Sequence, residues 1–192
     1  LLLLGLLRLS APLQASVPPF QQDDRVAFIG DSITHGGRYH ADIYLYHATR
    51  FPNHPFVAHN CGIAGDTAPG TNLRFEADIA VHRPTVATIM LGMNDAYAWA
   101  FDPSLALQEK ISAQANSYDH YTQAMDQMAT TLTEMDCRMV FIKPSIYDQT
   151  ALLDQKNLVG KNDQLGRFAE YIDELAIKYG ASVVDFHTPM SV

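Results

Sequence analysis

The sequence is poor in cysteine and in basic residues, and both shortages narrow the classes of protein to which it can belong. Two cysteines among 192 residues are too few for a small scaffold held together by disulfides. Lysine and arginine number 13 against 21 aspartates and glutamates, which gives a formal net charge of −8. Because no basic stripe is present to meet a phosphate backbone, we expect no nucleic-acid partner.

The two cysteines, Cys61 and Cys137, are predicted to stay unpaired. Cys61 follows the second predicted strand and Cys137 precedes a later one. In a parallel sheet these positions lie at opposite edges, which is too far apart for a disulfide. Their spacing fits no zinc pattern either.

Apolar runs long enough to cross a bilayer are also missing, so no stable membrane span is expected. The longer runs are confined to strand-length segments and to the first residues. Residues 1–15, which begin Leu-Leu-Leu-Leu-Gly-Leu-Leu-Arg, are typical of a secretory signal peptide and predict a secreted or periplasmic protein. The alternative is a disordered amphipathic terminus. Since no initiator methionine precedes this stretch, the sequence is expected to be a fragment.

The rest of the chain alternates between short apolar runs and segments with helical periodicity. Residues 16–24, with their two adjacent prolines, are predicted to be a linker, and residues 25–192 to be one domain. Strands are predicted at 26–29, 55–60, 85–91, 139–142 and 181–185, and helices at 39–50, 71–82, 117–135 and 162–179, with a less regular connection at 95–116. This alternation predicts a doubly wound α/β fold whose five-stranded parallel sheet is covered by helices on both faces.

A serine stands where the first predicted strand ends. The buried run closes at Gly30, and Asp31 and Ser32 follow at once. In an open α/β sheet the carboxyl ends of the strands are where ligands bind, so a serine there can present its hydroxyl as a nucleophile. The alternative is that both residues only cap the next helix.

Two further blocks follow the second and third predicted strands. They are Asn-Cys-Gly-Ile-Ala-Gly-Asp-Thr at 60–67 and Leu-Gly-Met-Asn-Asp at 91–95. Together with the first block, and in this order, they resemble the GDSL/SGNH hydrolase family, whose serine, glycine and asparagine blocks fall on Ser32, Gly65 and Asn94. The resemblance implies a flavodoxin-like strand order and a serine esterase that needs no cofactor or metal.

The three residues have the chemistry that acyl transfer requires. The backbone N–H groups of Ser32 and Gly65 and the side-chain amide of Asn94 would serve as donors to the oxyanion. Each follows a different strand, so all three are expected to converge at one edge of the sheet. The alternatives are a simple turn at Gly65 and a helix cap at Asn94. No Gly-x-Ser-x-Gly elbow occurs, which argues against the α/β-hydrolase arrangement.

An aspartate neighbours each of these residues, at Asp31, Asp66 and Asp95. We expect them to hold their loops through backbone N–H groups rather than to do chemistry. A two-metal phosphoesterase built on them is the alternative. It lacks an evident set of histidine ligands, since the spacing of the histidines at 35, 40 and 47 does not gather them on one helix face.

The catalytic base is the incomplete part of the pattern. The family pattern ends in Asp-x-x-His, whereas the late pair here, Asp185 and His187, is one residue too short. We therefore expect the catalytic acid and histidine to lie beyond Val192. The rival hypothesis is that Asp185 and His187 serve as an irregular dyad.

These observations predict a serine esterase that acts on small-molecule or carbohydrate esters, with acetyl esters of carbohydrates as the expected substrates by analogy with exported members of the family. The alternative is a non-catalytic domain that binds a carbohydrate or another ligand in the same pocket without a complete triad. The oligomeric state is left open.

Overall fold

Five parallel strands form a single sheet in the computed structural model, which describes residues 17–152 and 157–191. The strands are β1 (Arg25–Gly30), β2 (Val57–Gly62), β3 (Val86–Met90), β4 (Arg138–Ile142) and β5 (Ser182–Val184). Their order in the sheet is β2-β1-β3-β4-β5. The predicted doubly wound fold and its flavodoxin-like order are therefore confirmed.

Seven α-helices and two 3₁₀ helices accompany the strands in the described part of the chain. The α-helices are α1 (Ser32–His35), α2 (Arg38–Arg50), α3 (Ala68–Leu73), α4 (Phe75–Asp78), α5 (Leu107–Glu134), α6 (Lys161–Tyr179) and α7 (His187–Met190), and the 3₁₀ helices are Ala80–His82 and Ala98–Phe101. Residues 1–15, the predicted signal peptide, lie outside the described residues. None of the described helices is long and apolar enough to cross a membrane.

Alternate side chains of the strands divide the core between the two faces of the sheet. Ala27 and Ile29 of β1 belong to the larger apolar cluster, which also holds the inward residues of α5 and α6. Val26 and Phe28 belong to a smaller cluster on the other face, against which Phe20 packs from the segment before β1. This segment is also held by Arg138, whose guanidinium donates to the Pro18 carbonyl at 3.0 Å.

The predicted helix at 71–82 is wrong, because the chain forms α3, α4 and a 3₁₀ turn there. The break comes at Arg74, whose backbone angles of −103° and 3° depart from the helix. The Arg74 guanidinium donates to the Cys61 carbonyl at 2.8 Å. A tertiary contact has therefore overridden the local pattern that predicted one continuous helix.

The irregular connection predicted at 95–116 is also wrong over its second half, since α5 already begins at Leu107. The Glu109 carboxylate accepts the Ala106 N–H at this end. Leu107 and Ile111 are exposed, so the first turns of the helix carry no buried stripe that periodicity could reveal. With 28 residues the helix is about 42 Å long, whereas the five residues of β3 span about 17 Å. The helix therefore extends past the sheet.

The cysteine prediction is confirmed. Cys61 and Cys137 are both buried and unpaired. Burial raises the pKa of the Cys61 thiol to about 11 and that of Cys137 to about 12, so both are protonated at neutral pH.

Candidate active site

The three strands that lead to the candidate residues end at the same level. Gly30 at the end of β1 is paired with Gly62 of β2 on one side and with Met90 of β3 on the other. Ser32, Gly65 and Asn94 follow these ends within four residues. The sheet therefore brings the three sequence blocks to one edge, as predicted.

Ser32 is the first residue of α1 and is exposed to solvent. The side chain of the preceding Asp31 is buried and accepts the Ile33 N–H at 2.9 Å, so Asp31 caps this helix. Helix α1 lies directly on the sheet edge, because a Cβ on Gly62 would come within 2.4 Å of the His35 nitrogen. This close approach of α1 to β2 leaves no room for a side chain at Gly62.

Gly65 has the backbone conformation that favours glycine, with φ of +82°. A Cβ added there would meet no atom within 4 Å. The turn is closed by the Asp66 N–H, which donates to the Ile63 carbonyl at 3.1 Å. The space beside Gly65 is therefore open to a ligand.

Asn94 connects the loop after β3 to the loop after β2. Its Nδ2 donates to the Asp66 carbonyl at 2.8 Å. A carboxamide carries two N–H groups, so one remains for a ligand. The bond holds the Asn94 side chain next to Gly65, which is where a shared oxyanion site requires it.

The Asp66 side chain is the centre of a hydrogen-bond network that sequence reasoning did not find. It pairs with the Arg74 guanidinium at 2.7 Å, and both side chains are largely buried. It also accepts the Thr71 hydroxyl and the Thr67 N–H, each at 2.9 Å. The network holds the loop in place, and its hydrogen bonds do not involve the Gly65 N–H. Since Arg74 lies inside a segment predicted as one helix, its sequence position gave no sign of this role.

Asp95 is buried beside Asn94. Its Oδ1 accepts the Ala68 N–H at 2.8 Å, while its Oδ2 is buried with no partner among the described residues. Burial raises the pKa of Asp95 to about 7, against the hydrogen bond from Ala68 and with a smaller contribution from the charge of Asp31. The expectation that the three aspartates hold loops through backbone N–H groups is thus confirmed. Within residues 17–152 and 157–191, no group of three or more His, Cys, Asp or Glu side chains is placed to hold a metal ion.

Asp185 and His187 do not form a dyad. The Asp185 carboxylate accepts the Thr188 N–H at 2.8 Å and its hydroxyl at 2.7 Å, and it lies 3.4 Å from the Lys143 ammonium. His187 Nδ1 is hydrogen-bonded to the Pro144 carbonyl at 3.2 Å. Both side chains are therefore engaged elsewhere and are not hydrogen-bonded to each other.

The chain resembles solved enzymes to different degrees. A gut microbial diltiazem-metabolizing enzyme, BT4096, is 38% identical and superimposes with a TM-score of 0.83 over 91% of this chain. The match spans 39% of that enzyme's length. Axe2, an acetylxylan esterase from Geobacillus stearothermophilus, is 19% identical with a TM-score of 0.72, over 89% of this chain and 80% of its own. LAE5, an alpha/beta hydrolase enzyme from the metagenome of Lake Arreo, Spain, is likewise 19% identical with a TM-score of 0.72, over 89% of this chain and 80% of its own. At this identity the last two show that the fold is shared.

Among curated proteins compared by sequence, none matches the chain. The model of one protein family, however, matches residues 28–192, a range that includes all three candidate residues. The chain belongs to the GDSL-like lipase/acylhydrolase family.

Proposed function

We propose that this protein hydrolyses carboxylic esters with Ser32 as the nucleophile and with Gly65 and Asn94 as oxyanion donors. The observation that carries the proposal is the hydrogen bond from Asn94 to the Asp66 carbonyl, because it holds the amide beside the Gly65 backbone. Membership of an acylhydrolase family supports the reaction class.

The chemistry follows from the positions of these groups. The Ser32 oxygen attacks the ester carbonyl carbon while a histidine accepts its proton. The negative charge that develops on the carbonyl oxygen is stabilised by the Ser32 and Gly65 N–H groups and by the free N–H of Asn94. The tetrahedral intermediate then expels the alcohol, which takes the proton from the histidine. Water, activated by the same histidine, hydrolyses the acyl-enzyme.

The proposed base is a histidine beyond residue 192, as the Asp-x-x-His pattern of the family implies. All eight histidines of the sequence lie among the described residues, and none of them is hydrogen-bonded to Ser32 in that part of the chain. His35 is the closest along the chain, but its Nδ1 is hydrogen-bonded to the Gly62 carbonyl at 3.1 Å. These contacts support a base from elsewhere in a longer protein.

Acetyl esters of carbohydrates are the proposed substrates. The described fold is shared with an acetylxylan esterase, and the relative at 38% identity is named for metabolizing a drug, diltiazem. The apolar, leucine-rich residues 1–15 support the further proposal that the protein is secreted or periplasmic.

The proposal is tested on the product of the complete reading frame with p-nitrophenyl acetate and acetylated xylan. Ser32→Ala is expected to lower kcat by on the order of 10⁶-fold, since the covalent step is lost. Ser112→Ala, which removes an exposed hydroxyl on α5, is the matched control and should retain full activity. Equal activity of the two variants would refute the assignment of Ser32. Hydrolysis of long-chain esters in preference to acetyl esters would refute the substrate class.

The second candidate function is a binding domain without catalysis, and the engagement of Asp185 and His187 by other partners favours it for the described residues. This second function predicts that the protein encoded by the complete reading frame hydrolyses no ester while still binding the ligand. The same assays separate the two functions.

A further inference from the structure

Trp99 is the single tryptophan of the sequence, and 59% of it is exposed. Tryptophan is highly buried on average, which makes this exposed indole unusual. The residue lies in the 3₁₀ helix Ala98–Phe101, in the connection that follows Asn94 and Asp95.

The indole stacks on the ring of a neighbouring tyrosine, and that tyrosine is itself held by a hydrogen bond. Its ring lies nearly parallel to that of Tyr97, with an angle of 9° and centroids 5.9 Å apart. The Tyr97 hydroxyl is hydrogen-bonded to His120 Nδ1 of α5 at 3.1 Å. The next two residues, Ala100 and Phe101, are buried in the core. A ring already held in place loses little conformational entropy when a ligand binds to it.

This aromatic pair lies at the edge of the sheet that carries the candidate site. The Asp95 carbonyl accepts the Tyr97 N–H at 2.9 Å and the Ser117 hydroxyl at 2.6 Å. Trp99 follows Asn94 by five residues, which limits their separation to about 18 Å. An oligosaccharide that occupies the candidate site beside Asn94 can therefore extend toward the indole.

We propose that Tyr97 and Trp99 form a platform on which a pyranose ring of a carbohydrate ester stacks, so that this pair selects the sugar part of the substrate. The proposal rests on the proposed function only in placing the ester of that carbohydrate at Ser32.

The chemistry of the platform fits a sugar better than an aryl group. The π face of an indole is electron-rich, and the C–H bonds on one face of a pyranose carry partial positive charge. An open, one-sided surface leaves the hydroxyl groups on the ring edge in water, whereas an apolar aryl ligand gains most from a pocket that encloses it. The exposed His120 and the Tyr97 hydroxyl lie at the rim of the platform, where they can hydrogen-bond to those hydroxyl groups.

The test uses the 192-residue chain, in which Trp99 is the single tryptophan, so that selectively excited indole emission reports on this residue alone. Titration with xylotriose and cellotriose is expected to change the Trp99 emission saturably and to protect it from acrylamide quenching. Calorimetry should then show a Kd about tenfold weaker for Trp99→Ala, with partial recovery in Trp99→Phe. The matched control is Tyr46→Ala, which removes an equally exposed ring (59%) on α2 and should bind as the unchanged chain does.

An emission change no larger than that caused by glycerol would overturn the platform, as would an equal Kd for Trp99→Ala and Tyr46→Ala. A saturable response to 2-naphthol without one to the oligosaccharides would replace the sugar with an aryl ligand and also overturn it.

The outcomes for the platform and for the esterase are separable. A protein that binds the sugar at Trp99 but hydrolyses no ester would refute the proposed function alone. An active esterase whose Trp99 emission does not respond to the oligosaccharides would refute the platform alone.

Discussion

Asp95 Oδ1 accepts the Ala68 N–H at 2.8 Å in the interior of the protein. A carboxyl from the loop after β3 thus holds the first residue of α3, the helix that follows the Gly65 loop. Together with the bond from Asn94 to the Asp66 carbonyl, it makes the second and third site loops one unit. The relative position of Gly65 and Asn94 therefore depends on two hydrogen bonds that run in opposite directions between these loops.

Asp95→Asn is expected to change how stability depends on pH. Burial raises the pKa of Asp95 to about 7, whereas an unfolded aspartate titrates near 3.9. The folded state therefore binds the proton more tightly, so the stability it contributes is present below about pH 4 and is lost as the pH rises through 7. The asparagine keeps the acceptor for Ala68 and does not ionise, so the variant should melt at least about 3 °C above the unchanged protein at pH 8. The exposed Asp42→Asn is the control, and equal shifts in both variants would contradict the prediction.

Asn94→Ala is expected to separate an oxyanion donor from a structural cap. Loss of a preorganised donor typically lowers kcat about 100- to 1000-fold with little effect on KM. Loss of the bond to Asp66 adds about 1 kcal/mol of destabilisation. Asn72→Ala is the matched control, because Asn72 Nδ2 also donates to a backbone carbonyl, that of Ala124, at 2.9 Å. If both variants lose stability equally and both keep kcat within a few-fold, Asn94 is no donor.

Gly65→Ala is expected to abolish activity by filling the space where the oxyanion would lie. Gly180→Ala is its matched control, since both glycines have positive φ (+82° and +63°) and neither would bring a Cβ within 4 Å of another atom. Both variants should lose about 1–2 kcal/mol of stability through backbone strain, measured by denaturant unfolding. Only Gly65→Ala should also lose hydrolysis of p-nitrophenyl acetate. If Gly65→Ala stays active, the Gly65 N–H is not an oxyanion donor.

The strands β1, β3 and β4 were predictable because their buried residues are contiguous and bounded by turns. All five runs, such as Val26–Ile29 in β1, lie within the sheet or overlap it. Helices were less predictable where tertiary contacts decide their ends. Arg74 breaks a helical pattern because its guanidinium turns toward Asp66. The first turns of α5 were not predictable because Leu107 and Ile111 are exposed, so the apolar residues there show no helical period.

The convergence of the site loops was predictable from strand order, since parallel strands place their carboxyl ends at one edge. The partners that fix those loops were not. Nothing in the spacing of Asp66 and Arg74 reveals an ion pair, and nothing in the spacing of Asp95 and Ala68 reveals the buried hydrogen bond between them. Such contacts depend on how the loops fold over the edge. The roles of Ser32, Gly65 and Asn94 in catalysis remain predictions for the experiments above.

Asp185 and His187 make structural rather than catalytic contacts. Although desolvation acts to raise it, the pKa of Asp185 is held below its ordinary value by the hydrogen bonds from Thr188 and by the Lys143 charge. Its carboxylate therefore stabilises the fold above about pH 4, and this contribution is lost as the pH falls through the lowered pKa.

Asp185→Asn should accordingly lower Tm by about 2–4 °C at pH 7, and the deficit should shrink toward pH 3. Asp173→Asn is the matched control, because Asp173 also pairs with Lys143, at 2.8 Å, and lacks the two bonds to Thr188. Its effect on Tm should be smaller. His187→Gln in the complete protein should leave kcat within about twofold, since its Nδ1 binds the Pro144 carbonyl and not a carboxylate. A loss of activity of about 100-fold or more in His187→Gln, with Tm unchanged, would instead make His187 the base and restore the irregular dyad.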